Sequence, residues 1–325
     1  FTEKVTDYLL EEYARLGYSA KRTVKGGVIA EIGGEGDPIL TMAHVDTLGA
    51  VVAEIKSNGR LRLSPVGGFN ANNAEAHNCR VYTYDGQIYE GTIQLADASL
   101  HVNKEYSTTQ RTFQSVEVVL DEPVTSKDDV KALGITNGCF VCADPNLVVT
   151  NSGYIKSRFL DDKLSAAILL GYAKYIRENN ITPLRKVYQH MTVFEEVGHG
   201  ACASIPEDVT ELLSVDMGCV GDGLECTERQ VSICAKDGHG PYNYQVTTGL
   251  VNAAKKDSID YAVDIYPFYG SDADAALSAG KDARHGLIGA GVYASHGYER
   301  SHKDGVVNTF RLLCSYLNGD APKMD

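Results

Sequence analysis

Val187-Tyr188-Gln189-His190-Met191-Thr192-Val193-Phe194-Glu195-Glu196-Val197-Gly198 is the stretch from which the rest of the chain can be read. Val187 to Phe194 has the length and apolar weight of a buried strand. It runs directly into two adjacent carboxylates. At the end of a buried run, Glu195 and Glu196 repel each other and lose hydration unless something cationic lies nearby. Three more polar motifs follow predicted strands in the same way: Ala43-His44-Val45-Asp46, Leu160-Asp161-Asp162-Lys163 and Ser214-Val215-Asp216-Met217. Sites in open α/β sheets form outside the carboxyl ends of strands, so four such motifs can converge on one crevice. His, Asp and Glu are the ligand types of a hydrolytic zinc or cobalt centre. A carboxylate-rich set can hold two ions that share one carboxylate and one water.

Each motif alone has a plainer reading. A His-x-Asp at a strand end is more often structural. Asp161-Asp162-Lys163 reads equally well as a helix N-terminus, where Asp is favoured by the dipole. Glu195-Glu196 is the hardest to explain structurally. The case for a site rests on all four occurring together, in order.

Working outward, strands alternate with helical segments. Val5 to Leu16 is an amphipathic helix, Ile39 to Ala43 a strand, and Leu164 to Tyr175 an apolar helix. Leu212 to Val215, Ile259 to Ile265 and Leu287 to Tyr293 read as strands, and Asn308 to Asn318 as the closing helix. The pattern predicts an α/β fold with a mostly parallel central sheet flanked by helices. Between Val52 and Val149 the texture is different. Short runs of Val, Ile, Tyr and Thr are punctuated by turn signals such as Asp85-Gly86, which predicts a small all-β insertion. Ser126 caps a short helix there. The expected division is residues 1–51 and 152–325 as one domain, with 52–151 as the inserted β-barrel-like domain.

The 325 residues carry a formal charge of −13, which disfavours nucleic acid or anionic membrane as partners. No apolar run approaches the roughly 20 residues of a membrane span. No secretory leader pattern stands at Phe1, and what precedes it is left open. Of the eight Cys, only Cys139 and Cys142 form a C-x-x-C pair. All eight are expected to be reduced thiols, with the cytoplasm as compartment.

The four motifs resemble the tetrahedral, or TET-type, metalloaminopeptidases, a family that includes glutamyl aminopeptidases and relatives once labelled endoglucanases. That family reads A-H-x-D, D-D-[RK], E-E-V-G and a strand ending in Asp, all present here in order. Leu63-Ser64-Pro65-Val66-Gly67-Gly68 resembles the opening of its inserted β module, and Gly270-Ser271-Asp272-Ala273 its G-T-D-A segment. The resemblance covers nearly the whole chain. It implies His44, Asp161, Glu196 and Asp216 as metal ligands, with Asp161 bridging, Glu195 as general base, and Asp46 orienting His44. It also implies two divalent ions, Zn or Co, a cis Asp161-Asp162 bond, and hydrolysis of peptides with a free N-terminus. Self-association to dimers or a dodecamer, with contacts from the β insertion, is expected too. The last ligand is where the pattern departs. The family reads Tyr-x-His-Ser, whereas this chain reads Tyr293-Ala294-Ser295-His296-Gly297-Tyr298, with a second imidazole at His302. His296 keeps the position after the Tyr and is the expected ligand, with His302 as its competitor.

Two rivals remain. A di-zinc carboxypeptidase or deacylase uses similar ligands, but usually inserts its second domain after the fourth ligand. A catalytically dead relative would be expected to lose Glu195 or a ligand. For substrate preference, Lys236, His239, Lys281 and Arg284 are candidates to line a pocket. Solvated loop charge explains them equally well.

Overall fold

The computed structural model describes residues 1–323. The chain divides into two compact units. One comprises Phe1–Thr47, Leu147–Ser295 and Glu299–Asp325, the other Leu48–Asn146 and His296–Tyr298.

The first unit is built on a 12-stranded sheet. At its centre are four parallel strands, β1 (Ile39–His44), β2 (Val187–Thr192), β3 (Glu211–Val215) and β4 (Arg284–Tyr293), lying in the order β2-β1-β3-β4. Antiparallel strands extend this core: Val28–Gly33 pairs with β2, and Val231–Lys236 and Glu299–His302 pair with β4. The parallel order in the centre is what the alternation of strands and helices implies. The antiparallel flanks were not visible in it.

Central strands buried on both faces read as continuous apolar runs, and the side chains of β1 show why. Ile39 and Ala43 face a core shared with Leu9 and Tyr13 of α1 (Glu3–Arg15), Leu169 and Tyr172 of α2 (Leu160–Glu178), Leu250 of α3 (Tyr244–Lys256) and Leu312 of the C-terminal helix Lys303–Asn318. Leu40 and Met42 point the other way, with Leu212, onto Ala273 and Ala276 of the short helix α4 (Asp272–Ser278). Each strand is therefore fixed in register from both sides. A slip of one residue would exchange the two faces and move its terminal polar residue. α2 is kinked at its start: Asp161 and Asp162 have non-helical backbone angles, and regular helix follows them.

The second unit is a closed barrel. Its order is Gly49–Ile55, Leu61–Val66, Val116–Leu120, Ile88–Leu95, His77–Tyr82, Phe140–Ala143 and back to the first. Val52, Leu63, Val81, Ile93, Val118 and Val141 fill it, as strand alternation requires. The turn at Asp85-Gly86 is present, with Gly86 at φ 86°. Ser126 and Asp129 form a capping box on Lys127–Ala132. Residues 96–115 form turns rather than strands. All eight cysteines are free thiols. Among the described residues, no helix is long and apolar enough to cross a membrane.

Candidate metal centre

His44 ends β1 and Asp216 follows β3. Asp161 opens α2, while Glu195 and Glu196 sit on a single 3₁₀ turn (Glu195–Val197) just beyond β2. Parallel pairing aligns the carboxyl ends of β1, β2 and β3, so their terminal residues meet. Two overlapping triads result, His44–Glu195–Asp216 and His44–Asp161–Glu196, with the ligand atoms of each within 4.8 Å of one another. His44 Nε2 lies 2.9 Å from Asp161 Oδ1 and 3.7 Å from Glu195 Oε2. The Asp161–Asp162 peptide is cis.

The electrostatics explain what such a set is for. Burial pushes the Asp216 carboxyl up to about 7 and Glu196 up to about 9, and the neighbouring Asp161 charge adds to both. Glu195 is driven well above the ordinary carboxylate range by burial, only partly relieved by His44. Burial alone would lower the His44 pKa. The hydrogen bond that the ring donates to Asp161 and the charges of Glu195 and Asp216 outweigh it and raise the ring well above its usual value. Four carboxylates share one imidazole, and protons are held where positive charge is needed. A divalent cation meets that need better than protons do, and the oxygen and nitrogen donors are those Zn or Co takes. The residues therefore fit the expected metal.

Asp46 does two things. Its backbone carbonyl, 3.1 Å from His44 Nδ1, accepts that ring N–H, so Nε2, 2.9 Å from Asp161 Oδ1, is the nitrogen that faces the site. Its carboxylate, 3.8 Å from Nδ1, instead accepts the N–H groups of Glu195 and Glu196, both at 3.2 Å. The orienting role expected of Asp46 thus runs through its main chain, and its side chain grips the turn that carries both glutamates. Two partners were missed from sequence. Asp162 accepts the His44 backbone N–H at 3.2 Å, and buried Glu299 accepts the Asp161 N–H at 3.1 Å. Neither belongs to a local pattern; only the acidic doublet at 161–162 pointed to the first.

The two late histidines differ in their surroundings. His302 Nε2 lies 2.7 Å from the Ser152 carbonyl and its Nδ1 accepts the Asp304 N–H at 3.0 Å, so it serves as a helix N-cap. His296 has φ 63° and groups with the barrel unit, where its ring packs on Gly68 closely enough to leave no room for a β-carbon there. It belongs to neither triad.

Of the basic residues considered for a pocket, Arg284 is paired with Glu211 and Asp37, and Lys281 donates to the carbonyls of Pro206 and Glu207. Lys236 donates to the Asp237 carbonyl. The His239 ring packs on Gly270. A cavity of about 980 Å³ lined by Tyr18, Lys21, Ile29, Tyr188 and Ile205 contains none of the residues of the two triads.

A family model described as M42 glutamyl aminopeptidase matches residues 26–312. A Bacillus subtilis (strain 168) protein named "Putative aminopeptidase YhfE" is 44% identical over 318 residues, covering 97% of this chain and 92% of its own length. Two solved structures bear on the fold. A TET aminopeptidase from the marine sediment archaeon Thaumarchaeota archaeon SCGC AB-539-E09 superposes with a TM-score of 0.87 at 18% identity, covering 98% of this chain and 91% of its own. A Pyrococcus horikoshii TET1 peptidase, described as able to assemble into a tetrahedron or a large octahedral shell, has a TM-score of 0.83 at 23% identity, covering 96% and 93%.

Proposed function

The chain belongs to the M42 glutamyl aminopeptidase family, and on that premise we propose that His44, Asp161, Glu196, Asp216 and His296 hold two divalent ions while Glu195 acts as general base. The enzyme is a metal-dependent aminopeptidase. The observation that carries the site assignment is the convergence of both triads at the carboxyl ends of β1, β2 and β3.

Held by this set, two divalent ions would lower the pKa of an attacking water toward neutrality and polarise the scissile carbonyl. The protein's own groups do the rest. Asp46 fixes the His44 tautomer through its carbonyl and the Glu195 backbone through its carboxylate. Glu195, with its Oε2 3.7 Å from His44 Nε2 and its backbone N–H held by Asp46, would take the proton of the attacking water and return it to the leaving amine. His44, Asp161, Glu196 and Asp216 would hold the ions. His296 would complete the set, on the resemblance of the Tyr293 to His296 segment to the family's pattern, whereas His302 is engaged as a helix cap. Glu299, three residues beyond His296, is hydrogen-bonded to Asp161.

The free thiols agree with a reducing compartment, the cytoplasm. Assembly into dimers or a dodecamer, with the barrel making contacts between copies, completes the reading. Glu195→Gln tests the base: metal content should stay at the wild-type level while turnover falls by about 10²–10⁴-fold. Asp161→Ala should lose metal. Full turnover in Glu195→Gln sinks the assignment.

A further inference from the structure

Asp272 is a buried carboxylate that neither triad uses, 2% exposed at the start of α4. Its Oδ2 accepts the Thr192 hydroxyl, and its Oδ1 accepts the Ala201 N–H at 2.8 Å. Thr192 is the last residue of β2. Ala201 lies just beyond the turn that carries Glu195 and Glu196. One carboxylate therefore ties together the two ends of the segment 193–200.

That segment needs tying. Phe194 and Gly198 flank the turn with φ of 70° and 83°, and both Phe194 and Val197 are exposed, so beyond buried Val193 at its start little apolar burial holds it. Its remaining fixed points are polar. Asp46 takes two N–H groups in the middle, and Lys25 Nζ donates to the carbonyls of His199 and Gly200. Gly200 shows how tight the arrangement is. A β-carbon there would collide with Asp272 Oδ1 and lie 3.1 Å from Glu195 Cα. The Asp272 carboxylate and the backbone of the base thus both crowd the position a β-carbon would take on one glycine. Asp272 is itself immobilised. Ser271 and Asp274 close a capping box on α4, and the Ala273 N–H donates to Ser214 Oγ at 3.0 Å, two residues before Asp216.

We propose that Asp272 is a positioning residue for the general base, setting where the Glu195 carboxylate lies by closing the 193–200 segment against the start of α4. It acts through Thr192, Ala201 and Gly200 and coordinates no ion. Placement of a reacting group matters at the ångström scale, so loosening this closure lowers kcat more than it alters substrate binding. The inference rests on the assignment of Glu195 as base.

The experiment uses the metal-loaded enzyme and a chromogenic aminoacyl substrate, with metal content measured on each variant. Asp272→Ala is expected to lower kcat by about 10–100-fold with KM within about two-fold and metal content unchanged. Asp272→Asn still offers an oxygen to Ala201 and an amide to the Thr192 hydroxyl, so it should recover most of kcat. Thr192→Val should lower kcat in the same sense while Thr192→Ser does not; these milder variants settle the matter if Asp272→Ala does not fold. Wild-type kcat in Thr192→Val at full metal content overturns the proposal. So does loss of metal in parallel with kcat, which would make Asp272 a support of the metal site. Glu195→Gln measured alongside separates this outcome from failure of the base assignment: undiminished turnover there overturns the base itself, whatever Asp272 does.

Discussion

At the scale of single residues, the site divides into side chains that local sequence reveals and side chains that it hides. His44, Asp161, Glu195, Glu196 and Asp216 each stand at the end of a recognisable run, and pairing of the strands brings them together. Asp162, Glu299 and Asp272 act on backbone N–H groups 118, 138 and 71 residues away, and no periodicity encodes that. Asp46 was legible by motif but not by mechanism, since its carboxylate turned out to serve the glutamates. Asp46→Ala should therefore damage the turn more than the imidazole, leaving two part-buried N–H groups without their acceptor. Turnover should fall by about 10–100-fold, the range seen for partners that orient ligands. Unchanged turnover with unchanged metal content would show that the grip on Glu195 and Glu196 is dispensable.

At the scale of elements, long apolar strands and helices were legible, and short ones only where a cap or turn signal marked them, as Ser126 does before Lys127–Ala132. β1, β2 and β3 followed from their composition, and α2 from its apolar face, although its first turn is distorted. The seven-residue α4 fell below the length at which periodicity speaks, and only Ser271 with Asp274, a capping-box pattern, could have revealed it. β2 also carries a buried histidine with a measurable consequence. His190 is pushed down to about 4 from 6.5, chiefly by burial with a contribution from Lys25, and its Nδ1 has no partner among the described residues. Because the folded-state value is depressed, the neutral ring's contribution is full above pH about 6.5 and is lost as pH falls toward about 4. Melting temperature measured against pH should therefore drop less steeply over that window in His190→Gln than in the wild type. The difference is worth up to about 3 kcal/mol. Parallel profiles would assign the acid sensitivity to other groups.

At the scale of the whole molecule, the sequence's change of texture marked out the barrel, because alternating strands with frequent turns differ from continuous apolar ones. What that barrel contacts could not be read, since an interface depends on surface shape rather than on pattern. Assembly is tested by sedimentation of the wild-type protein at micromolar concentration: a dimer or larger species is expected, and monomer alone would remove the barrel's proposed role. The acidic crevice gives the most direct test of the account. Protein stripped with a chelator should be inactive on a panel of chromogenic aminoacyl substrates, and adding Zn²⁺ or Co²⁺ should restore activity, saturating near two ions bound per chain. Undiminished activity in the metal-free protein, or full activity with no ion bound to the His44 set, would contradict it.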